Sequence, residues 1–264
     1  MKTSTINICL CRPNFKVSEK DYNLVLMESY INKFPSGTFD LFVFPEICIA
    51  GGFAKNGNEI YNAISERIPE GLSTQRVINL SVKYKTHICA GTIESSNNKY
   101  YATHFITGPN GFIGKQKKLF PFNPLKTSVL SSGKNVNSIS LFNKKIVILP
   151  CSDILLPEPF MQSGIIRPAL VLCPMDTFES NNKYTLDAIL KARAIELAAP
   201  ILAVFSKSRD KNTKVIDYIL YDAYGTKIKG ESFRNALAIK INLNSALEKW
   251  GGFIKRREFL DKNV

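Results

Sequence analysis

The stretch FNKKIVILPCSDILLPEPF, residues 142–160, decides how the rest of the chain is read. Ile146 to Leu149 form a continuous apolar run, the pattern of a strand covered on both faces. Pro150 stops it, because proline has no N–H to give a ladder. Cys151 follows at once, so it stands on an elbow at the end of a buried strand, where substrate can reach a side chain. A free thiol is mostly thiolate only above about pH 8.5 unless a base or cation assists it. Taken alone, Cys151 is as easily a small buried hydrophobe.

The same strand-end arrangement occurs upstream in DLFVFPEICIAGGF, residues 40–53, where the run from Leu41 to Phe44 ends at Pro45 and Glu46. Open α/β sheets place their ligands at the carboxyl ends of strands. A carboxylate desolvated there is pushed up toward the working range of a general base. By itself Glu46 is equally a solvated residue opening a loop. A third segment, GKQKKLFPFNP at 114–124, lacks the GxxxxGK[ST] order of a phosphate-binding loop. Its lysines Lys115, Lys117 and Lys118 suit either a solvated edge strand or a cation aimed at an oxyanion.

Outward from these segments, composition sets bounds. A chain of 264 residues, 45% hydrophobic, can bury a core in one large domain or at most two. No Pro/Gly-rich linker divides it, so 1–264 reads as a single domain whose last ~20 residues form a C-terminal tail. The start, MKTSTINICLCRPNF, lacks the apolar block of a secretory signal, and nowhere do about eighteen apolar residues run together. The expectation is a soluble, cytoplasmic protein with no membrane contact. The six cysteines are scattered without a CxxC pair, which is not a disulfide framework. Cys9 and Cys11, two apart on a strand, would share one face and fill core. With only His87 and His104 present, neither a Ser-His-Asp set nor a spaced zinc site has its residues. No metal and no cofactor is expected. The net charge of +13 raises the question of nucleic acid. The basic residues are spread along the chain, densest at Lys115–Lys118 and at Lys255, Arg256 and Arg257, without a clustered stripe on a recognisable module. Solubility or an anionic small-molecule substrate accounts better for the charge.

Alternation and β-branched residues predict strands near 4–10, 40–44, 87–94, 101–107, 138–149, 168–173, 200–206, 215–222 and 235–242. A helix capped by Ser18 runs to about Phe34, with Tyr22, Val25, Leu26 and Tyr30 inward. A second is capped by Ser73, with Val77, Leu80 and Tyr84 inward. A third spans Lys183 to Ala198, with Leu186, Ile189, Leu190 and Leu197 inward. Strands alternating with helices at both ends, around a strand-rich middle, favour an α/β layered domain.

Order then adds what no segment carries alone. FPE at 44–46, KKLFP at 117–121 and CSDILLPE at 151–158 together resemble the nitrilase (carbon–nitrogen hydrolase) superfamily. KARAIELAAPILAVFS at 191–206 is similar to that family's helix-to-strand segment. The resemblance implies a four-layer α-β-β-α sandwich, commonly paired into homodimers or higher homo-oligomers through its outer helices. It further implies Cys151 as nucleophile, Glu46 as general base and Lys118 as oxyanion stabiliser, with Lys117 as the alternative lysine. The substrate would be a small amide, carbamoyl compound or nitrile. Asp153 and Glu158 match positions that hold the cysteine loop. Arg193 and Glu196 fit either a surface pair or a buried pair near the cysteine strand.

Two departures stand out. The family usually carries a second glutamate between the lysine and the cysteine, yet no Asp or Glu occurs between Glu94 and Asp153. Lys126 lies near the expected place, with Ser128 as a substitute hydroxyl. Ser152 also replaces the usual aromatic residue after the nucleophile. Two functions therefore stand side by side: an amidase-like hydrolase, or a catalytically silent binding or oligomeric subunit.

Overall fold

The computed structural model of the chain describes residues 5–52, 57–121, 129–208 and 212–244. Two β-sheets face each other. Among the described residues the first runs β11 (Glu231–Phe233), β12 (Ala236–Asn242), β1 (Thr5–Cys11), β2 (Leu41–Val43), β3 (His87–Ser96), β4 (Lys99–Gly108) and β5 (Gly111–Lys117). The second runs β10 (Tyr218–Tyr221), β9 (Ile201–Phe205), β8 (Leu170–Met175), β7 (Lys144–Ile148) and β6 (Ile139–Leu141). The inner strands β1–β2–β3 and β7–β8–β9 are parallel, and the outer ladders are antiparallel.

Alternation along each strand sorts side chains into layers. Ile8, Leu10, Leu41 and Val43 face Ile146, Ile148, Leu170 and Leu172 between the sheets. Cys9, Cys11, Phe42 and Phe44 turn the other way, onto α1 (Lys20–Ile31) and α3 (Leu72–Tyr84). Val147, Leu149, Val171 and Cys173 pack on α4 (Pro157–Ile166) and α5 (Lys183–Leu197). A short helix, α2 (Gly57–Ile64), closes one flank. The result is a four-layer α-β-β-α sandwich. Because helices cover both outer faces, β2 and the buried end of β7 are apolar at every position, which is why 41–44 and 146–149 are unbroken runs. Cys9 and Cys11 share one buried face as expected, their sulfurs 3.6 Å apart and unbridged.

Several expectations change. The strand expected over 138–149 is the hairpin β6–β7, turning at Phe142 and Asn143, whose φ angles are 54° and 57°. Two left-handed residues make the turn that suits strand twist. Phenylalanine is a poor marker for it, and here its ring leans edge-on against His87 at 4.7 Å. The first helix starts at Lys20, and Ser18 (φ 62°) does not cap it. Its inner face is Asn23, Leu24, Met27, Tyr30 and Ile31, while Tyr22 and Val25 are exposed. Apolar residues lie all round this helix, so the stripe could not be picked by spacing. Ser73 is no cap either: Glu66 accepts hydrogen bonds from the Ser73 and Thr74 backbone N–H groups at 3.2 and 2.8 Å. In α5, Leu186 and Leu190 are buried, whereas Ile189 and Leu197 are only half-buried. Helix α4 was not expected; Pro157 in its first turn presets the backbone for it.

Candidate active site

β2 and β7 lie in opposite sheets and end at the same end of the sandwich, so each delivers its terminal residue to one place. β2 stops at Pro45, and the chain turns through Glu46 and Ile47 (φ 35°), with the Glu46 N–H donating to Met175 O of β8 at 3.3 Å. β7 stops at Pro150, and Cys151 takes a left-handed φ of 45° before a 3-10 turn over Cys151–Leu155. A non-glycine residue held there is strained, and such strain collects at working sites. Lys118 follows β5, its N–H donating to Ala102 O at 2.8 Å.

These three side chains meet. Lys118 Nζ donates to Glu46 Oε1 at 2.6 Å, and both residues are 2% exposed. Glu46 Oε2 has no well-formed hydrogen bond, and the Cys151 thiol is close enough to act on that carboxylate as a weak donor. The Asp176 backbone N–H, nearby at the end of β8, eases the Cys151 thiol slightly toward ionisation. Burial raises Glu46 above the usual carboxylate range against the pull of Lys118. Burial alone would discharge Lys118, but the Glu46 carboxylate above all outweighs it and holds the ammonium above its ordinary value. Burial and the Glu46 charge push Cys151 well up. The resting cluster is thus a thiol beside a carboxylate–ammonium pair. Lys117, the alternative, turns away: its Nζ lies 3.7 Å from the Tyr101 ring centroid and 3.6 Å from Glu94.

Asp153 binds the cysteine loop to the lysine segment, accepting from Leu119 N and Phe120 N at 2.9 and 2.8 Å. Ser152 adds a short hydrogen bond to Phe120 O. Burial pushes the Asp153 carboxyl up to about 6 despite these donors. Glu158 is different: it is exposed in the first turn of α4 and makes no hydrogen bond to the loop among the described residues. Its negative charge suits a helix N-terminus instead. Arg193 and Glu196 form a surface pair at 2.6 Å rather than a buried one. Lys126 and Ser128 lie outside the described residues.

Sequence reasoning missed Asp176, His104 and Arg12. Asp176 follows the buried run LVLCPM of β8, the same strand-end signal that marked Glu46 and Cys151. His104 was set aside as one of two histidines; it is fully buried, and Ile47 N donates to its Nε2 at 3.3 Å. Arg12 follows β1 and crosses to the other sheet, donating to Phe205 O at 2.7 Å and pairing with Asp217. A narrow cleft lined by Pro13, Phe15, Asp176, Ser206 and Lys207 leads to Glu46. Among the described residues, no group of three or more His, Cys, Asp or Glu is placed to hold a metal ion.

A sandwich of this layering, with an acid, a lysine and a cysteine gathered at its strand ends, is that of the nitrilase superfamily. The chain belongs to the carbon–nitrogen hydrolase family, whose sequence profile matches residues 6–225. It is 26% identical over 153 residues to a nitrilase of Pyrococcus abyssi, and the match spans 58% of each chain. Among solved structures it resembles XC1258 from Xanthomonas campestris, a CN-hydrolase superfamily protein with an arsenic adduct in its active site (TM-score 0.80, 17% identity, 94% of this chain and 95% of that one). It also resembles Saccharomyces cerevisiae Nit3 (TM-score 0.77, 19% identity, 94% of each chain). A third is an amidase mutant from Nesterenkonia sp. AN1, with a covalent adduct at its active-site cysteine (TM-score 0.75, 14% identity, 97% of this chain and 98% of that one).

Proposed function

We propose that the protein hydrolyses non-peptide carbon–nitrogen bonds of small amides, carbamoyl compounds or nitriles through a thioester on Cys151. The observation that carries this reading is the buried Lys118–Glu46 contact of 2.6 Å beside a cysteine held at a left-handed φ. With an amide or carbamoyl compound, Glu46 takes the thiol proton as sulfur attacks the carbonyl carbon, and the Lys118 ammonium stabilises the oxyanion. With a nitrile the same attack gives a thioimidate, which adds water and then loses ammonia to reach the thioester. Collapse breaks the carbon–nitrogen bond, and Glu46 returns its proton to the departing amine. Water, deprotonated by Glu46, then attacks the thioester, releasing the acid and restoring the thiol. Each step uses these three side chains and water, and none calls for a cofactor.

A silent role draws its support only from the missing second glutamate, and the complete cluster favours the hydrolase. Lys207 at the cleft supports an anionic substrate, as does the net charge of +13. Exposed Met161 and Ile165 on α4 support pairing of two copies through the outer helices. No helix among the described residues is long and apolar enough to cross a membrane, which is compatible with a cytoplasmic location. The test is Cys151→Ala: release of ammonia or amine should cease while the circular-dichroism spectrum and unfolding midpoint persist. Undiminished turnover in that variant would end the reading.

A further inference from the structure

His104 is a buried titratable group that the hydrolysis just described does not use. It lies on β4, on the face that carries Ile106 into the space between the sheets. Its register partner on β3 is Gly91. A Cβ on that residue would sit 2.6 Å from Cδ2 and Nε2 of the imidazole, so the ring occupies the room a side chain would take. Lying across Gly91, it reaches the turn after β2 and accepts the Ile47 N–H.

That turn needs a partner. Ile47 is β-branched and sits at a φ of 35°, a conformation such residues rarely adopt. The neighbouring N–H groups are held by main chain, Phe44 N by Cys89 O, Glu46 N by Met175 O and Ile49 N by Gly91 O. Ile47 N alone in this set is held by a side chain. Accepting at Nε2 puts the imidazole proton on Nδ1, and Nδ1 is buried without a partner among the described residues. A leucine would fill the space with no orphaned donor, so stability alone does not explain the histidine.

We propose that His104 is a positioning residue for the general base, its neutral imidazole anchoring the Ile47 N–H so that the strained turn aims Glu46 at Cys151 and Lys118. The proposal rests on the hydrolase reading for its catalytic meaning, though the anchoring is a property of the turn itself. Burial and the nearby Lys118 charge push His104 down to about 3, so the ring stays neutral throughout the neutral range and the Ile47 N–H selects Nε2 as its acceptor.

Two variants separate anchoring from packing. His104→Leu keeps bulk and removes the acceptor, whereas His104→Gln places a carbonyl oxygen near the Nε2 position. In His104→Leu, kcat on a small amide should fall about 10- to 100-fold with KM within about threefold. Alkylation of Cys151 by iodoacetamide, followed by peptide mapping, should slow about tenfold at neutral pH, and its pH dependence should move upward. His104→Gln should recover most of both. Near-normal kcat and alkylation in His104→Leu would overturn the proposal, and so would failure of His104→Gln to recover them. If His104→Leu does not fold, imidazole nitrogen NMR of the unaltered protein decides. A neutral Nδ1–H ring across pH 5–9 supports the anchor; an Nε2–H ring or a protonated one overturns it. Absence of turnover in the unaltered protein on amides and nitriles would count against the hydrolase reading, while alkylation still judges the anchor.

Discussion

Under the proposed mechanism, the buried Lys118–Glu46 pair serves chemistry more than stability. Each is 2% exposed, and the pair is worth little over an apolar replacement of both. Removing one partner is another matter. Lys118→Met leaves the Glu46 carboxylate buried and unpaired, which should cost about 3–5 kcal/mol of stability near neutral pH. The sign of its pH dependence follows from linkage. Without Lys118 the folded-state pKa of Glu46 rises further above its unfolded value, so the native state binds the extra proton and the loss shrinks as pH falls. Thermal unfolding at pH 8 and pH 5 should show a larger deficit at pH 8. The same raised Glu46 predicts the acid limb of activity. Once protonated, Glu46 cannot accept the thiol proton, so kcat/KM should fall away at a pH above the usual carboxylate value of about 4.3. A pH–rate profile, lost in Glu46→Gln together with about 10²–10⁴ of the rate, checks both.

At the scale of elements, side chains from elsewhere do what local sequence signals were expected to do. Helix α3 starts without a capping side chain of its own, and Glu66 supplies the cap, also bonding the Thr74 hydroxyl at 2.8 Å and the Lys20 ammonium at 2.8 Å. Burial opposes the Glu66 charge, but these partners win and hold its pKa below the ordinary value. Its contribution is therefore present above the unfolded pKa and lost as pH falls through the folded one. Glu66→Ala should cost about 1–2 kcal/mol in urea unfolding at pH 7, with the difference fading toward pH 3. Strands β2 and β7 were legible because burial on both faces leaves an uninterrupted apolar record and each stops at a proline. The β6–β7 turn was not, since Phe142 tolerates its left-handed φ through a contact with His87, 55 positions away in sequence.

Across the whole molecule, one feature ties the two sheets together and another leaves an apolar face exposed. Arg12 joins the end of β1 to Phe205 O of the opposite sheet and to Ile216 O just before β10, and only 5% of it is exposed. Cutting it to methionine leaves those carbonyls without their donor and should lower the unfolding midpoint, a loss of about 1–3 kcal/mol by denaturant titration. The outer face of α4 and α5 leaves Met161 68% exposed, Ile165 82% and Tyr184 87%. Under the proposed pairing, light scattering should give about twice the monomer mass, and the double change Met161→Glu with Ile165→Glu should return the mass to that of one chain.

The sequence by itself determined the strand ends and the residues, Glu46 and Cys151, that follow two of them. Each of these is written locally, as an apolar run of a given length, a proline stop and a chemically distinctive residue after it. Tertiary structure decided the choice of Lys118 over Lys117, because only strand pairing determines which of two adjacent lysines faces the space between the sheets. It also decided that Asp153 holds the cysteine loop while Glu158 does not, and that Arg193 and Glu196 lie at the surface. Above all it placed His104 against Ile47, a contact across 57 positions that depends on a glycine in the neighbouring strand. Such contacts leave no periodic trace along the chain, since they are set by register between strands rather than by order within one.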